Sequence, residues 1–355
     1  MFKRTVLVIT ALLVLVLPAG AKTRKETVEL GLKWLLTRQK EDGSFMEYPA
    51  ITALCVSSFL RNGFTGETPA VKKGLEYILK CVKADGSIAI DNMSCYNTSI
   101  CLMTLSEARD PKYAGIIQKA RDWLKKIQVG ADGSVESADK FYGGIGYDSH
   151  MKPDLSNLQH ALEALRETVT GDDVFLLTDP GKKSDRETFE RAIFFLSRCQ
   201  NIKATNDQKW TGNDGGFVYS PDGESKATGS KSYGSITYAG LKSMIYCNVD
   251  KTDPRVLAAY NWVQANYTLE ENPGMGAQGL YYYYHTLVKA FKTLGVNTVK
   301  DKNGVEHLWA KEMAEKMSAL QAPEGCWVNN AERWWESKKE LATAYALLTL
   351  SFCVE

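Results

Sequence analysis

Apolar positions recur along this chain at helical spacing, in pairs of segments joined by a turn. Val28 through Trp34 and Gln39 lead into Asp42-Gly43-Ser44-Phe45, and a second apolar segment resumes at Ala50-Ile51-Thr52-Ala53-Leu54. Val71, Leu75, Ile78, Leu79 and Val82 lead into Asp85-Gly86-Ser87-Ile88, followed by Thr98-Ser99-Ile100-Cys101-Leu102. Ala120, Trp123, Leu124, Ile127 and Gln128 lead into Asp132-Gly133-Ser134-Val135, with the segment Leu155 to Leu162 behind. These turns fall about 43 to 47 residues apart, the period of stacked helix pairs.

Three further units complete the pattern. Phe189, Ile193, Leu196 and Gln200 precede a longer loop with Asp214-Gly215-Gly216-Phe217. After it, Tyr233, Ile236, Thr237, Gly240, Leu241 and Met244 follow the i, i+3, i+4, i+7 pattern of one helical face. A fifth unit passes through Trp262 and Gln264 to Pro273-Gly274-Met275-Gly276 and the run Tyr281 to Tyr284. That run has strand propensity, but the register of the other units makes it a helix. The sixth takes Trp309 to Gln321, turns at Glu324-Gly325-Cys326-Trp327 and ends in Leu341 to Leu348.

Helix starts agree with this division. Thr68-Pro69, Asp110-Pro111 and Asp253-Pro254 each set a capping residue before a proline at the first helical position, and Ser184-Asp185-Arg186-Glu187 reads as a capping box. Neither helix of a pair can bury its apolar face alone, so successive pairs must stack. Six pairs suffice to close a ring with one helix of each pair inside. The expected fold is all-α, an (α/α)6 toroid spanning residues 22–355 as a single domain, with a cavity at one end. No Pro-rich, Gly/Ser-rich or highly charged linker divides it.

The first residues bear on the compartment. Lys3 and Arg4 precede an apolar run from Thr5 to Leu17, Pro18 breaks it, and Ala19-Gly20-Ala21 supplies small residues at a cleavage site. The run is shorter than the roughly 20 residues of a membrane span. Residues 1–21 therefore read as a signal peptide, with an uncleaved anchor as the alternative, and the protein as exported, periplasmic or secreted. Apolar residues make up 44% and charged residues 24%, with a net charge of +1, which gives no electrostatic reason to expect nucleic acid. Of the 8 cysteines, Cys55, Cys101, Cys247 and Cys353 sit in apolar helical stretches as small core residues. Cys81, Cys95, Cys199 and Cys326 lie nearer turns, where pairing is open. No Cys-x-x-Cys pair supports a zinc site, and no metal or cofactor is expected.

The recurring Gln-x-x-x-Asp-Gly-Ser-Phe and Gln-x-x-x-Glu-Gly-Cys-Trp elements resemble the repeats of squalene cyclases. Gly215-Gly216-Phe217 resembles the turns of protein prenyltransferase beta subunits. More narrowly, Tyr142-Gly143-Gly144-Ile145-Gly146-Tyr147 with Pro153 to Asn157, and Ser232 to Tyr238, resemble bacterial exported proteins named for prenyltransferase and squalene-oxidase repeats. The resemblance to this terpenoid cyclase and prenyltransferase superfamily implies an α/α toroid and an isoprenoid chain in an aromatic-lined cavity. Departures limit what carries over. The Asp-x-Asp-Asp acid of class II cyclases has no match, since Thr170-Gly171-Asp172-Asp173 lacks the first Asp. The prenyltransferase His has a match in Tyr284-His285-Thr286, but Ser230-Lys231-Ser232-Tyr233 stands where its Asp-x-Cys zinc ligands belong. The Cys-Gly-Glu-Gln thioester of related domains is also missing.

Candidate chemistry follows from these residues. His150 near Asp148 and Asp154 is the most enzyme-like cluster, a carboxylate beside an imidazole for acid and base roles. Asp154 is better read as the N-cap of the helix beginning at Leu155. Tyr147, Tyr233, Tyr238, Tyr282, Tyr283, Trp334 and Trp335, with His285, are expected to line a pocket for an isoprenoid or other apolar small molecule, against the alternative that they are core. Asp42 and Asp214 read as structural turn residues, and Lys226, Lys231 and Arg333 as solvated cations near inner-helix starts. Two other functions stay open: a noncatalytic scaffold holding a protein partner, and a carbohydrate-active α/α barrel with two facing carboxylates.

Overall fold

A computed structural model describes residues 22–168 and 183–353. The predicted signal segment, Thr170 to Asp173 and the side chain of Ser184 lie outside the described residues. Twelve α-helices form six pairs: α1 (Arg24–Leu36) and α2 (Pro49–Arg61), α3 (Pro69–Lys80) and α4 (Ser94–Glu107), α5 (Ala114–Lys126) and α6 (Leu155–Glu167). The others are α7 (Lys183–Cys199) and α8 (Gly234–Tyr246), α9 (Pro254–Ala265) and α10 (Leu280–Leu294), α11 (Trp309–Leu320) and α12 (Lys339–Phe352). A small antiparallel hairpin, Val299–Lys300 with Glu306–His307, connects α10 to α11.

The even-numbered helices touch in the order α2, α4, α6, α8, α10, α12 and back to α2, so the inner ring is closed. Each odd-numbered helix packs outside it, against its own partner or the neighbouring inner helix. Sequence decides which goes where. From Pro49 to Phe59 every residue of α2 is buried, as suits a segment with no charge before Arg61. Helix α3 is amphipathic, burying Val71, Gly74, Leu75 and Ile78 while its lysines face out. The tyrosine run lies in α10, so the register of the repeats prevails over strand propensity.

One hydrogen-bonding device recurs where outer helices end. Gln39 donates from Nε2 to Gly43 O (3.0 Å) and to Ala70 O of the next unit (2.8 Å). Gln128 does the same to Gly143 O and Thr188 O, both at 2.9 Å. Gln200 reaches Gly215 O (2.9 Å) and Arg255 O (2.8 Å). Gln321 reaches Gly325 O (2.9 Å) and then Thr27 O (2.8 Å), which joins the last unit to the first.

The residue two after each turn glycine plugs the gap beneath: Phe45, Ile88, Ile145, Phe217 and Trp327 are all fully buried. Four of their backbone N–H groups donate to threonine Oγ1 on the following inner helix, Thr52, Thr98, Thr237 and Thr343, at 2.9 to 3.1 Å. Glycine is required at the turn because the next outer helix lies against it. A Cβ on Gly143, at φ +81°, would sit 1.8 Å from Arg191 O.

The third turn therefore lies at Gly143, not at the predicted Asp132-Gly133-Ser134. Ser134 donates N–H to Asp132 Oδ1 at 3.0 Å, the local geometry of Ser44 on Asp42 and Ser87 on Asp85. Yet a Cβ on Gly133 would meet nothing within 4 Å. It is a surface turn in an inserted loop. The fifth turn also departs: Asn272, through Oδ1, accepts the Ser235 N–H at 2.9 Å and so ties this loop to the start of α8.

Asp253 caps α9 through Arg255 N–H at 2.8 Å, and Thr68 sits at the N-cap of α3 before Pro69. Asp110 instead opens a 3-10 turn, Pro111–Tyr113, ahead of α5. All eight cysteines are free and buried, so the turn-proximal four form no pairs.

Two stability measurements check this scheme. Gly143→Ala should cost at least about 2 kcal/mol in urea unfolding, through clash and positive φ together, whereas Gly133→Ala should cost about 1 kcal/mol. Equal losses would place the third turn at Gly133 after all. Gln321→Ala should destabilise the ring by about 2 kcal/mol, since it leaves two carbonyls short of a donor; an unchanged urea midpoint would mean that apolar packing alone closes the seam.

Candidate functional site

Inner helices all start at one end of the ring, and there the core is open. A cavity of about 320 Å³ lies between the first turns of the six inner helices. Its wall is aromatic: Tyr48, Tyr96, Tyr147, Tyr219, Tyr233, Tyr282, Tyr345, Trp334 and Trp335, with Ile51, Met93, Ile236 and Leu341 between them. Polar groups are few, chiefly Ser156, Asn157, His160, Ser235, Lys226 and Glu336. Small-molecule sites have this character, apolar walls with a few placed polar groups.

Hydroxyls of the wall are tied to one another and to the helices. Tyr48 donates to Asp91 Oδ2 at 2.8 Å, Tyr96 and Tyr345 share a hydrogen bond at 3.1 Å, and the Tyr282 hydroxyl accepts from Gln159 Nε2 at 3.3 Å. The His160 ring lies edge-on to Tyr96 with centroids 5.1 Å apart and tilted against Tyr282 at 6.0 Å. Burial pushes the Tyr96 hydroxyl up to about 12 and raises those of Tyr48, Tyr233, Tyr282 and Tyr345, so these phenols stay neutral.

The mouth is edged by a 3-10 turn, Arg333–Trp335. Trp334 and Trp335 have φ of 62° and 64°, a region that costs a bulky side chain about 1–3 kcal/mol. They remain 41% and 47% exposed, and the Trp335 ring meets that of Tyr48 edge-on at 5.5 Å. Glu336 pins the turn in place. At 1% exposure it accepts the Tyr282 N–H at 2.8 Å and Asn329 Nδ2 at 2.7 Å, so its carboxylate is spent on the start of α10. The cations of the rim are also engaged. Lys226 sits 3.9 Å over the Tyr219 ring and bonds Glu224 at 2.6 Å, and Arg333 stacks on Trp334 at 4.5 Å and donates to Gln278 Oε1 at 2.8 Å. Lys231 is exposed.

Below the cavity, the far halves of the inner helices carry charge. Lys242 and Lys289 both pair with Glu163, Lys289 also with Glu167 at 3.2 Å, and Arg61 with Glu107 and, at 3.9 Å, Glu167. Burial pushes the two lysines down and Glu167 up. Three bases against three carboxyls make the group neutral wherever the shared protons sit.

The predicted site residues are divided by this geometry. Tyr147, Tyr233, Tyr282, Trp334 and Trp335 line the cavity. Tyr238 and Tyr283 do not: they stack on each other at 5.6 Å within the wall, and Tyr283 donates to Thr268 O at 2.8 Å. Successive residues of a helix point about 100° apart, so Tyr282 and Tyr283 cannot face the same space. His285 lies one turn deeper, in the charged layer.

Asp148, His150 and Asp154 are not brought together. Asp148 Oδ1 accepts the His150 and Met151 N–H groups in an exposed loop, at 2.8 and 2.9 Å, and the His150 side chain is exposed. Asp154 is buried and caps α6, taking the Asn157 N–H at 2.9 Å and its Nδ2 at 2.8 Å; burial pushes its carboxyl up to about 6 against those bonds. Tyr48, Tyr96, Tyr219, Tyr345, His160 and Glu336 were not foreseen. The repeat register held a signal for one of them, because Tyr48 is the N-cap of α2 as Tyr233 is of α8.

No protein-family model matches the sequence, and no curated protein does. Solved structures do. An inactive variant of the α-1,6-mannanase GH76A of Salegentibacter sp. HEL1_6, in complex with α-1,6-mannotriose, superposes with a TM-score of 0.61 at 10% identity, covering 93% of this chain and 99% of that one. A possible member of the GH105 family from Salmonella enterica gives 0.56 at 12% identity, covering 98% of both chains. Type II terpene cyclase MstE from Scytonema, in complex with geranylgeranyl dihydroxybenzoate, gives 0.53 at 11% identity, covering 93% of this chain and 97% of that one. At such identities the likeness is one of fold: this chain is an α/α toroid of six helix pairs, an architecture shared by carbohydrate-active proteins and terpene cyclases.

Proposed function

We propose that this toroid binds a small molecule with an apolar body, of the isoprenoid kind, in the cavity at the start of the inner helices. The observation that carries this reading is the wall itself, nine aromatic side chains around about 320 Å³. Burying such faces against a ligand removes apolar surface from water at about 25 cal/mol per Å². Two-carboxylate hydrolysis has weaker support. The carboxylate lining the cavity, Glu336, is held by Tyr282 N–H and Asn329, and Asp154 is a helix cap. A general acid and its partner both need a free oxygen facing the substrate.

A sugar ligand is the second reading, favoured by the adjacent, half-exposed Trp334 and Trp335 at the mouth, since flat rings stack on pyranose faces. We further propose export with removal of residues 1–21. The eight thiols suit that setting, being buried; burial raises Cys55, Cys95, Cys101, Cys199 and Cys247 away from the reactive thiolate.

Titration with farnesol should quench tryptophan fluorescence, and Trp335→Ala should weaken binding about tenfold. If α-1,6-mannotriose binds and farnesol does not, the sugar reading replaces this one. N-terminal sequencing of the protein from its own host should begin at Lys22, and an intact Met1 would refute export by cleavage.

A further inference from the structure

Between the aromatic cavity and the charged layer lies a second, smaller hollow of about 30 Å³. Gln159 and His160 of α6 and His285 of α10 line it, and it shares His160, Tyr282 and Tyr345 with the cavity above. Three buried polar atoms of these residues have no hydrogen-bond partner: Gln159 Oε1, His160 Nδ1 and His285 Nδ1. Each such atom costs about 1–3 kcal/mol while unpaired. Three of them around one space the size of a single water make a site for a guest atom that both donates and accepts.

The chemistry of that guest is narrow. Gln159 spends its Nε2 on the Tyr282 hydroxyl, so its Oε1 can only accept. Both imidazoles are held neutral. Burial, then Lys242 and Lys289, push His160 well below the ordinary histidine range, and burial, then Lys242 and Arg61, do so for His285. A neutral imidazole presents one donor and one acceptor. The cations beneath are matched by Glu107, Glu163 and Glu167, which leaves no spare positive charge at the floor. A phosphate or carboxylate, which only accepts, would leave Gln159 Oε1 unpaired and meet no counter-charge. A hydroxyl satisfies all three atoms.

Resting on the proposed binding of an apolar-bodied ligand, we infer that this ligand carries a neutral hydroxyl at its buried end, seated among Gln159, His160 and His285: an alcohol, not a diphosphate or an acid.

The experiment compares four C15 probes with one chain, farnesol, farnesene, farnesoic acid and farnesyl diphosphate, by titration calorimetry on the full-length mature protein. Farnesol should bind at least about tenfold more tightly than each of the others, because a site built for a hydroxyl penalises its absence. Gln159→Leu should remove the preference for farnesol over farnesene while leaving farnesene affinity within about threefold, and His285→Gln, which keeps a donor and an acceptor, should retain the preference. Farnesene binding as tightly as farnesol, or diphosphate binding more tightly, overturns the hydroxyl site and leaves the cavity reading standing. Failure of all four probes overturns both. Should Gln159→Leu not fold, as judged by circular dichroism, the four-probe comparison on the unsubstituted protein decides alone.

Discussion

Everything in this ring depends on how one outer helix ends against the next. A glutamine amide has two hydrogens on one nitrogen, and in four units it gives one to the carbonyl of its own turn glycine and the other to a carbonyl of the following outer helix. The first bond fixes the turn, and the second fixes the neighbour's position relative to that turn. Repeated from Gln39 to Gln321 and back onto Thr27, the device sets the rotation per unit that closes the circle. Glycine at the turn is the steric half of the same constraint, since only a residue without Cβ lets the next helix come so near.

Closure produces the site as a by-product. Six inner helices packed side by side around an axis leave a central space that side chains must fill or line. On the near side this chain uses tyrosine and tryptophan, too large to pack solidly and rigid enough to keep a space open. On the far side it uses Arg61, Lys242 and Lys289 against Glu107, Glu163 and Glu167. Burying so many ionisable groups is costly unless each is paired, and the pairs bridge different inner helices, α2 to α4 and α6, and α6 to α8 and α10. The charged layer thus braces the floor without giving it a net charge, and the ligand end of the cavity sees only neutral donors and acceptors.

Legibility in the sequence followed the range of the interaction concerned. The helix pairs were readable because apolar periodicity and capping act within a few residues, and the ring followed because paired amphipathic segments must stack. Asp154 was readable as a cap for the same reason. The third turn was not. Asp132-Gly133-Ser134 makes the same local hydrogen bonds as Asp42-Gly43-Ser44, and what separates them is an Arg191 carbonyl close enough to demand glycine at position 143. Five of the expected aromatic residues reached the cavity, but Tyr238 and Tyr283 turned into the wall, a matter of helix rotation that a run of tyrosines does not specify.

By itself, then, the amino-acid order determined the elements, their pairing and the toroid, all consequences of spacing along one strand of chain. Only the tertiary structure decided which side chains share the hollow, which carboxylates are spent on helix starts, and that His160, His285 and Gln159 meet over a neutral floor. Those depend on angles between helices far apart in the chain, and a rotation of one residue's worth about a helix axis exchanges a lining side chain for a buried one.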